Sequence, residues 1–125
     1  MLRAVKYGGR AIVLLFLLCA GAFAQDSRAN DAAKTLHDFF AAEWDYQMEQ
    51  HPTWASSLGD RRWNDRWSDS SLDAIYKRHN HDIATLSKLT KIDRAALSPS
   101  DELNYDLFKR DYENDIEDFQ YRWYL

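Results

Sequence analysis

The sequence contains few residues that break helices or crosslink a chain. It has one cysteine, two prolines and four glycines in 125 residues. Beyond residue 24 the only prolines and glycine are Pro52, Gly59 and Pro99. Cys19 lies before that point, so the remainder of the chain cannot form an internal disulfide and depends on its core for stability. Because Gly and Pro interrupt helices most strongly, their scarcity predicts an all-α fold.

The sequence also lacks an excess of basic residues. It carries 16 Lys and Arg against 20 Asp and Glu, which gives a formal net charge of −4 at pH 7. Proteins that bind nucleic acids neutralise phosphates with clustered Lys and Arg. An acidic chain without a basic block therefore argues against a nucleic-acid partner.

The first 24 residues have the pattern of a signal peptide. Three basic residues precede an apolar run from 11 to 20, and Ala22-Phe23-Ala24 matches the motif that signal peptidase cleaves. The apolar run, of roughly 10–14 residues, is shorter than the ~20 that span a bilayer. We expect an exported protein, periplasmic or secreted, without a stable membrane span after cleavage, and a retained signal anchor is the alternative. Leu18 before Cys19 does not favour a lipoprotein.

Removal of residues 1–24 leaves residues 25–125 as one helical segment. It takes away three basic residues and no acidic one, so the formal charge changes from −4 to −7. A chain of this length is sufficient for one small domain. Three main amphipathic helices are predicted within it, at about 31–50, 70–91 and 99–124.

The first predicted helix has apolar residues at four-residue steps, which is typical of one buried helical face. Asn30 or Asp31 can cap its start, and His51-Pro52 is expected to end it. The predicted buried residues are Leu36, Phe40, Trp44 and Met48, with Phe39 beside them.

The second predicted helix, capped by Ser68 or Ser70, has a stripe at steps of three and four. It comprises Leu72, Ile75, Tyr76, His79, Ile83, Leu86 and Leu89 or Thr90. We expect His79 to be a partly buried core residue with a hydrogen-bonded nitrogen. His81 lies two residues further on, and two histidines at this offset cannot share a metal ion on a regular helix. The pair therefore predicts no metal site.

The third predicted helix begins with a strong start signal. A short connector at 92–97 precedes Ser98, which can cap, and Pro99 suits the first helical position. The predicted apolar stripe comprises Tyr105, Phe108, Tyr112, Ile116, Phe119 and Trp123, widened by Leu103 and Leu107. Neither Gly nor Pro follows before Leu125, and the terminal aromatic residues have no evident partner. We expect a segment truncated at its C-terminus and belonging to a larger helical fold.

A segment rich in Trp and Arg separates the first two helices. Pro52 can begin a short turn, Gly59 suits the left-handed position after it, and residues 60–67 have no helical period. One interpretation is a packed loop in which the arginines pair with Asp60, Asp65 and Asp69 and stack on Trp63 or Trp67. The other is the rim of a ligand cleft that binds carboxylates through arginine. The candidate residues for either role are Trp54, Arg61, Arg62, Trp63, Arg66 and Trp67.

Several short motifs follow one another along the chain in a characteristic order. They are Glu43-Trp44, Pro52-x-Trp54-Ala55-Ser56-Ser57-Leu58-Gly59-Asp60, Trp63-x-Asp65-Arg66, Ile92-Asp93-Arg94-x-x-Leu97-Ser98-Pro99 and Asn104-Tyr105-Asp106-Leu107-Phe108. In this order they resemble the bacterial family known as domain of unknown function 885, over about residues 36–125. No single motif is diagnostic, but the ordered set is fairly specific.

The resemblance implies properties that the residues alone do not. Members of that family are longer, helical and often exported, and the family is similar to zinc-dependent peptidases through a His-Glu-x-x-His-like stretch in its C-terminal half. None of the four histidines here, at 37, 51, 79 and 81, stands in such a pattern. The resemblance therefore implies the N-terminal part of an exported zinc-dependent hydrolase, with zinc and the catalytic residues in the missing C-terminal part, which would be its partner.

Two consequences follow for this chain. No catalytic, cofactor-binding or metal-binding residue of the family can be assigned to it, and alone it is expected to be inactive. The alternative from a different class is a small, complete periplasmic binding or chaperone-like module, which would use the aromatic stripe of the third helix as a partner face.

Overall fold

Four α-helices and two short 3₁₀ turns make up the part of the chain that the computed structural model describes, which is the backbone of residues 9–122 and the side chains of residues 27–122. The helices are α1 (Gly9–Gln50), α2 (Pro52–Ser57), α3 (Leu72–Leu89) and α4 (Pro99–Asp118), and the 3₁₀ turns are Arg94–Ala96 and Phe119–Tyr121. Residues 9–122 contain no strand, so the all-α fold is confirmed.

The first helix is longer than predicted. It begins at Gly9 and not near residue 31, because no proline separates the two positions, and Asn30 and Asp31 therefore lie inside the helix without capping it. Within residues 27–122, no helix is both long enough and apolar enough to cross a membrane. The side chains of the predicted signal peptide lie outside the described residues, so that assignment stays a prediction.

Helix α1 ends at Gln50, before His51 and Pro52 as predicted, and α2 folds back on its last turns. Met48 becomes fully buried there, as does Leu36 three turns earlier. The prediction that Trp44 is buried is wrong, since 50% of it is exposed. Its ring instead meets that of Trp54 of α2 edge to face, with centroids 5.6 Å apart.

Helix α3 starts at Leu72, which is one residue later than a cap at Ser70 and three later than a cap at Ser68 would place it. The cap is Ser71, whose Oγ accepts a hydrogen bond from Ala74 N at 3.3 Å, and not Ser68 or Ser70. Leu89 is buried as predicted, but three residues of the predicted stripe are about half exposed, namely Leu72, Tyr76 and Ile83. The helix is rotated so that Thr85, which is fully buried, faces inward.

Helix α4 begins as predicted and ends earlier. The Ser98 side chain accepts from Asp101 N, and Pro99 occupies the first turn. The helix ends at Asp118, and after the 3₁₀ turn Arg122 takes a left-handed φ of 54°, so the predicted helix to residue 124 is not continuous. Trp123 and the two residues after it lie outside the described chain.

The aromatic stripe of α4 faces the interior. Tyr105 and Tyr112 are each 6% exposed, and the Phe108 ring lies 5.0 Å from that of Phe40. The prediction that Leu103 and Leu107 widen this stripe is wrong, since they are 59% and 51% exposed on the opposite side of the helix. The apolar core lies where α1 meets the end of α3 and the start of α4, and its buried members are Ala32, Leu36, Leu89, Ile92, Leu97 and Tyr105.

Candidate functional site

A buried polar centre, formed by Glu43, His81, Thr85 and Tyr112, joins α1, α3 and α4 beyond the apolar core. Glu43 Oε1 lies 2.6 Å from His81 Nε2 and accepts a hydrogen bond of 2.8 Å from Tyr112 Oη. Thr85 Oγ1 donates to Glu43 Oε2 at 3.2 Å. Glu43 is 7% exposed and Thr85 is fully buried. The centre thus holds a carboxyl group in the interior of a three-helix arrangement.

The partners of Glu43 compensate for its removal from water. A buried carboxylate is costly unless it is paired and hydrogen-bonded, and Glu43 receives donors from two other helices. His81 Nε2 faces an acceptor in Glu43, so this nitrogen carries the proton, and Thr85 Oγ1 lies 3.1 Å from it. The Tyr46 ring stacks on the His81 imidazole with centroids 3.5 Å apart, which fixes the plane of the imidazole.

Gln47 determines the direction in which the Tyr112 hydroxyl donates. Its Nε2 donates to Tyr112 Oη at 3.2 Å, so the tyrosine proton points to Glu43. Burial raises the pKa of Tyr112, and its hydrogen bond to Glu43 acts in the same direction. The phenol therefore stays protonated and remains a donor at any physiological pH.

A polar pocket of about 180 Å³ adjoins this centre. Its lining residues are Tyr46, Gln47, His51, Arg78, Asp82 and Asp115. Burial, and then the neighbouring charge of Asp115, raise the pKa of Asp82 to about 6. Burial also raises the pKa of Asp115, and burial together with Arg78 lowers that of His51. Two carboxyl groups from different helices are thus held close together under conditions that favour their protonation.

The loop between α2 and α3 is fastened to the end of α1. Gly59 has a φ of +88°, which lets the chain reverse so that Asp60 N donates to Ala55 O at 2.9 Å. Arg62 Nη2 then donates to Asp45 of α1 at 2.8 Å and to Asp60 at 2.7 Å.

The predicted pairing of this loop is confirmed in part. Arg62 pairs with Asp60, and Arg66 lies 3.6 Å from Asp65, with its guanidinium 4.8 Å from the centroid of the Trp63 ring. Asp69 does not form the predicted pair with a loop arginine. Its carboxylate instead accepts from Ser71 N at 2.8 Å, since it lies directly before the start of α3.

The six candidate residues of the Trp/Arg segment do not form one site. Trp54 packs against Trp44 and does not line the groove described next, and Arg61 is exposed. Arg66 and Trp67 border a groove of about 310 Å³ between α2 and the loop, and Trp67 is 85% exposed. Whether these residues form a packed loop or a cleft rim stays a prediction, although Arg62 and Arg66 already pair with carboxylates of the protein itself.

The sequence-based reasoning missed the buried polar centre. A signal for Glu43 existed, because it is seven residues from Leu36 and three from Phe40, which places a charged side chain on the buried face of α1. His81 lies off the predicted apolar stripe of α3, but it is the histidine that pairs with Glu43. His79 is partly buried as predicted, yet its Nδ1 is buried without a hydrogen bond to any described residue, and its ring stacks on Phe119 at 3.7 Å.

The donor groups of the described residues do not fit a zinc site. Within residues 27–122, no group of three or more His, Cys, Asp or Glu side chains is arranged to hold a metal ion. Glu43 and His81 meet, but their other neighbours are a threonine and a tyrosine hydroxyl, which are not usual zinc ligands.

Comparison with known proteins identifies one family. The family described as Bacterial protein of unknown function (DUF885) matches residues 52–125, which is more than half of the chain. The matched residues contain α2, the Trp/Arg loop, α3 and α4, together with three of the four members of the buried polar centre. No curated protein and no solved structure gives a significant match.

Proposed function

Since the chain belongs to the bacterial family of unknown function DUF885, we propose that it forms the N-terminal helical part of an exported member of that family. Its role there is structural: it supplies three helices held in a fixed arrangement. By its resemblance to zinc-dependent hydrolases, the larger protein would carry out metal-assisted hydrolysis with residues outside this chain.

The buried polar centre is the observation that carries the structural role. Its hydrogen bonds run from Glu43 of α1 to α3 and α4, and both oxygens of Glu43 are engaged inside the protein. A carboxyl group buried to this degree and surrounded by its own partners is not available to a substrate. Because a displaced helix would leave Glu43 unpaired, the centre selects one relative position of the three helices.

The side chains of residues 27–122 do not fit a zinc ion, so no catalytic step is assigned to them. If bound elsewhere in the protein, a zinc ion would activate water for attack on a carbonyl group. The contribution of this chain would be to pack against the part of the protein that binds the metal. Half-exposed apolar residues on α3 and α4, such as Ile83 and Leu107, are compatible with that contact.

The gene itself provides the first test. The genomic DNA beyond the Leu125 codon is sequenced and translated in all frames. A continuation of several hundred codons that encodes a His-Glu-x-x-His-like helix supports the proposal, and zinc analysis of the whole product follows. A stop codon with no such sequence in any frame overturns it.

A second test concerns this chain alone. Purified protein is dialysed against zinc and the bound metal is counted by mass spectrometry. The proposal expects no stoichiometric zinc. One tightly bound zinc ion per chain, lost on substitution of His81, would contradict the structural role of the buried polar centre.

A further inference from the structure

A second surface feature, the groove between α2 and the Trp/Arg loop, has the composition of a binding site. Its volume is about 310 Å³, enough for one or two small rings, and it is open to solvent. The residues that matter to the argument are Thr53, Ser56, Asn64, Asp65, Arg66 and Trp67. The groove is separate from the buried polar centre and from the structural role proposed above.

Trp67 is the most unusual residue of the groove. It is 85% exposed, whereas Trp63, four residues earlier in the same loop, is partly buried beneath Arg66. A large flat ring held in water at the edge of a cavity offers an apolar face to a ligand, and its indole N–H can donate a hydrogen bond. The ring therefore suits a ligand that is itself flat and apolar on one face.

Apart from Pro52, the other side chains that line the groove are polar, and together they carry no net charge. Thr53 and Ser56 present hydroxyl groups and Asn64 an amide, all of which can exchange hydrogen bonds with hydroxyl groups of a ligand. The lining contains one carboxylate and one guanidinium, Asp65 and Arg66, and these lie 3.6 Å apart. A neutral ligand complements such a groove better than an anion or a cation does.

The groove is also held in shape before any ligand arrives. Ser56 Oγ donates to Asn64 Oδ1 at 2.5 Å, which joins α2 to the loop between two residues of the lining. Arg62 and Arg66 connect the loop to Asp45 and Glu49 of α1. A site that is ordered in advance loses little conformational entropy on binding.

We propose that this groove binds a neutral oligosaccharide. The apolar C–H face of one sugar ring stacks on Trp67, and the hydroxyl groups at the edge of that ring bond to the side chains of Ser56, Asn64 and Asp65. Arg66 donates to a ring or glycosidic oxygen. The ligand is not altered, so the site is one of binding and not of chemistry.

Isothermal titration calorimetry of the full chain tests the proposal with three probes: chitotetraose, cellotetraose and maltotetraose. At least one is expected to bind with a Kd of about 1 mM or lower. Trp67→Ala should weaken this binding about tenfold or more, because it removes the stacking surface. Trp54→Ala is the matched control, since Trp54 is 45% exposed but lies outside the groove, and it should leave the Kd unchanged.

Folding of both variants is checked by thermal unfolding. Trp67→Ala should melt as the unsubstituted chain does, because its side chain makes little buried contact. The proposal is overturned if none of the three saccharides binds at about 10 mM, well above the expected Kd. It is equally overturned if binding survives Trp67→Ala, if Trp54→Ala weakens it to the same extent, or if the groove takes only a peptide probe such as a proline-rich decamer.

Discussion

The hydroxyl group of Tyr112 offers the sharpest test of the buried polar centre. In Tyr112→Phe the ring and its stacking on Phe108, at 4.5 Å, are kept, and only the oxygen is removed. Glu43 Oε1 then loses the 2.8 Å hydrogen bond, and Gln47 loses its acceptor. A hydrogen bond to a charged group contributes about 1.5–3 kcal/mol, so we expect a loss of about 2 kcal/mol in the free energy of unfolding.

This loss should be visible as a change in melting temperature. For a domain of this size 1 kcal/mol corresponds to about 4–8 °C, so the Tm should fall by roughly 8–16 °C. Urea titrations followed by circular dichroism at 222 nm would give the free energy directly. The m-value should not change, since the variant exposes the same surface on unfolding.

Tyr105 provides a matched control on the same helix. It is also 6% exposed, and its hydroxyl forms no hydrogen bond with the described residues. Tyr105→Phe should therefore change stability by less than about 0.5 kcal/mol. The reasoning is refuted if both substitutions have the same effect, or if a double-mutant cycle of Tyr112→Phe with Glu43→Gln gives a coupling energy near zero.

Three further predictions concern other parts of the chain. Because burial raises the pKa of Asp82 to about 6, above its unfolded value, the folded state binds this proton more tightly, and stability should rise as pH falls from 7 to 5. In Asp82→Asn the rise in the free energy of unfolding between pH 7 and 5 should be smaller by about 1–2 kcal/mol, a range that allows for the partial exposure of Asp82. The same pH profile in both proteins would contradict the assignment. Ser71→Ala should lower the free energy of unfolding, measured by urea titration, by about 1 kcal/mol, because the Ser71 side chain caps α3. Ser70→Ala should leave it almost unchanged. The reverse order would support the cap expected from the sequence. Arg62→Ala should leave the Tm nearly unchanged while it speeds chymotryptic cleavage at Trp63 and Trp67. Lys34→Ala, at a more exposed residue of α1, should not change cleavage, and equal cleavage rates in the two variants would contradict the loop attachment.

Several features that were predicted correctly from the sequence have local causes. The short helix at Pro52, the left-handed Gly59 and the start of α4 at Ser98 each depend on neighbours within about five residues, and the structure confirms them. The end of α4 was not predictable in the same way. No Gly or Pro follows Asp118, so nothing in the neighbouring sequence indicated the change to a 3₁₀ turn.

The prediction of which face of α3 is buried failed for a different reason. The predicted face followed its apolar residues, on the assumption that the interior of the protein is apolar. The helix in fact turns Thr85 and His81 toward Glu43, and leaves Ile83 half exposed. The partners of Glu43 are 38, 42 and 69 residues away in the chain, and no spacing rule within one helix could connect them.

The end of α1 explains why the neighbouring loop is rich in arginine. A helix C-terminus carries a partial negative charge that favours cations, yet the last turn of α1 contains no basic residue. It contains Glu49, with Asp45 one turn before, which adds unfavourable charge. Arg66 and Arg62 of the loop approach these two carboxylates at 3.6 and 2.8 Å. The loop therefore supplies the positive charge that α1 lacks, and one of its two arginines, Arg66, also lines the groove beside Trp67.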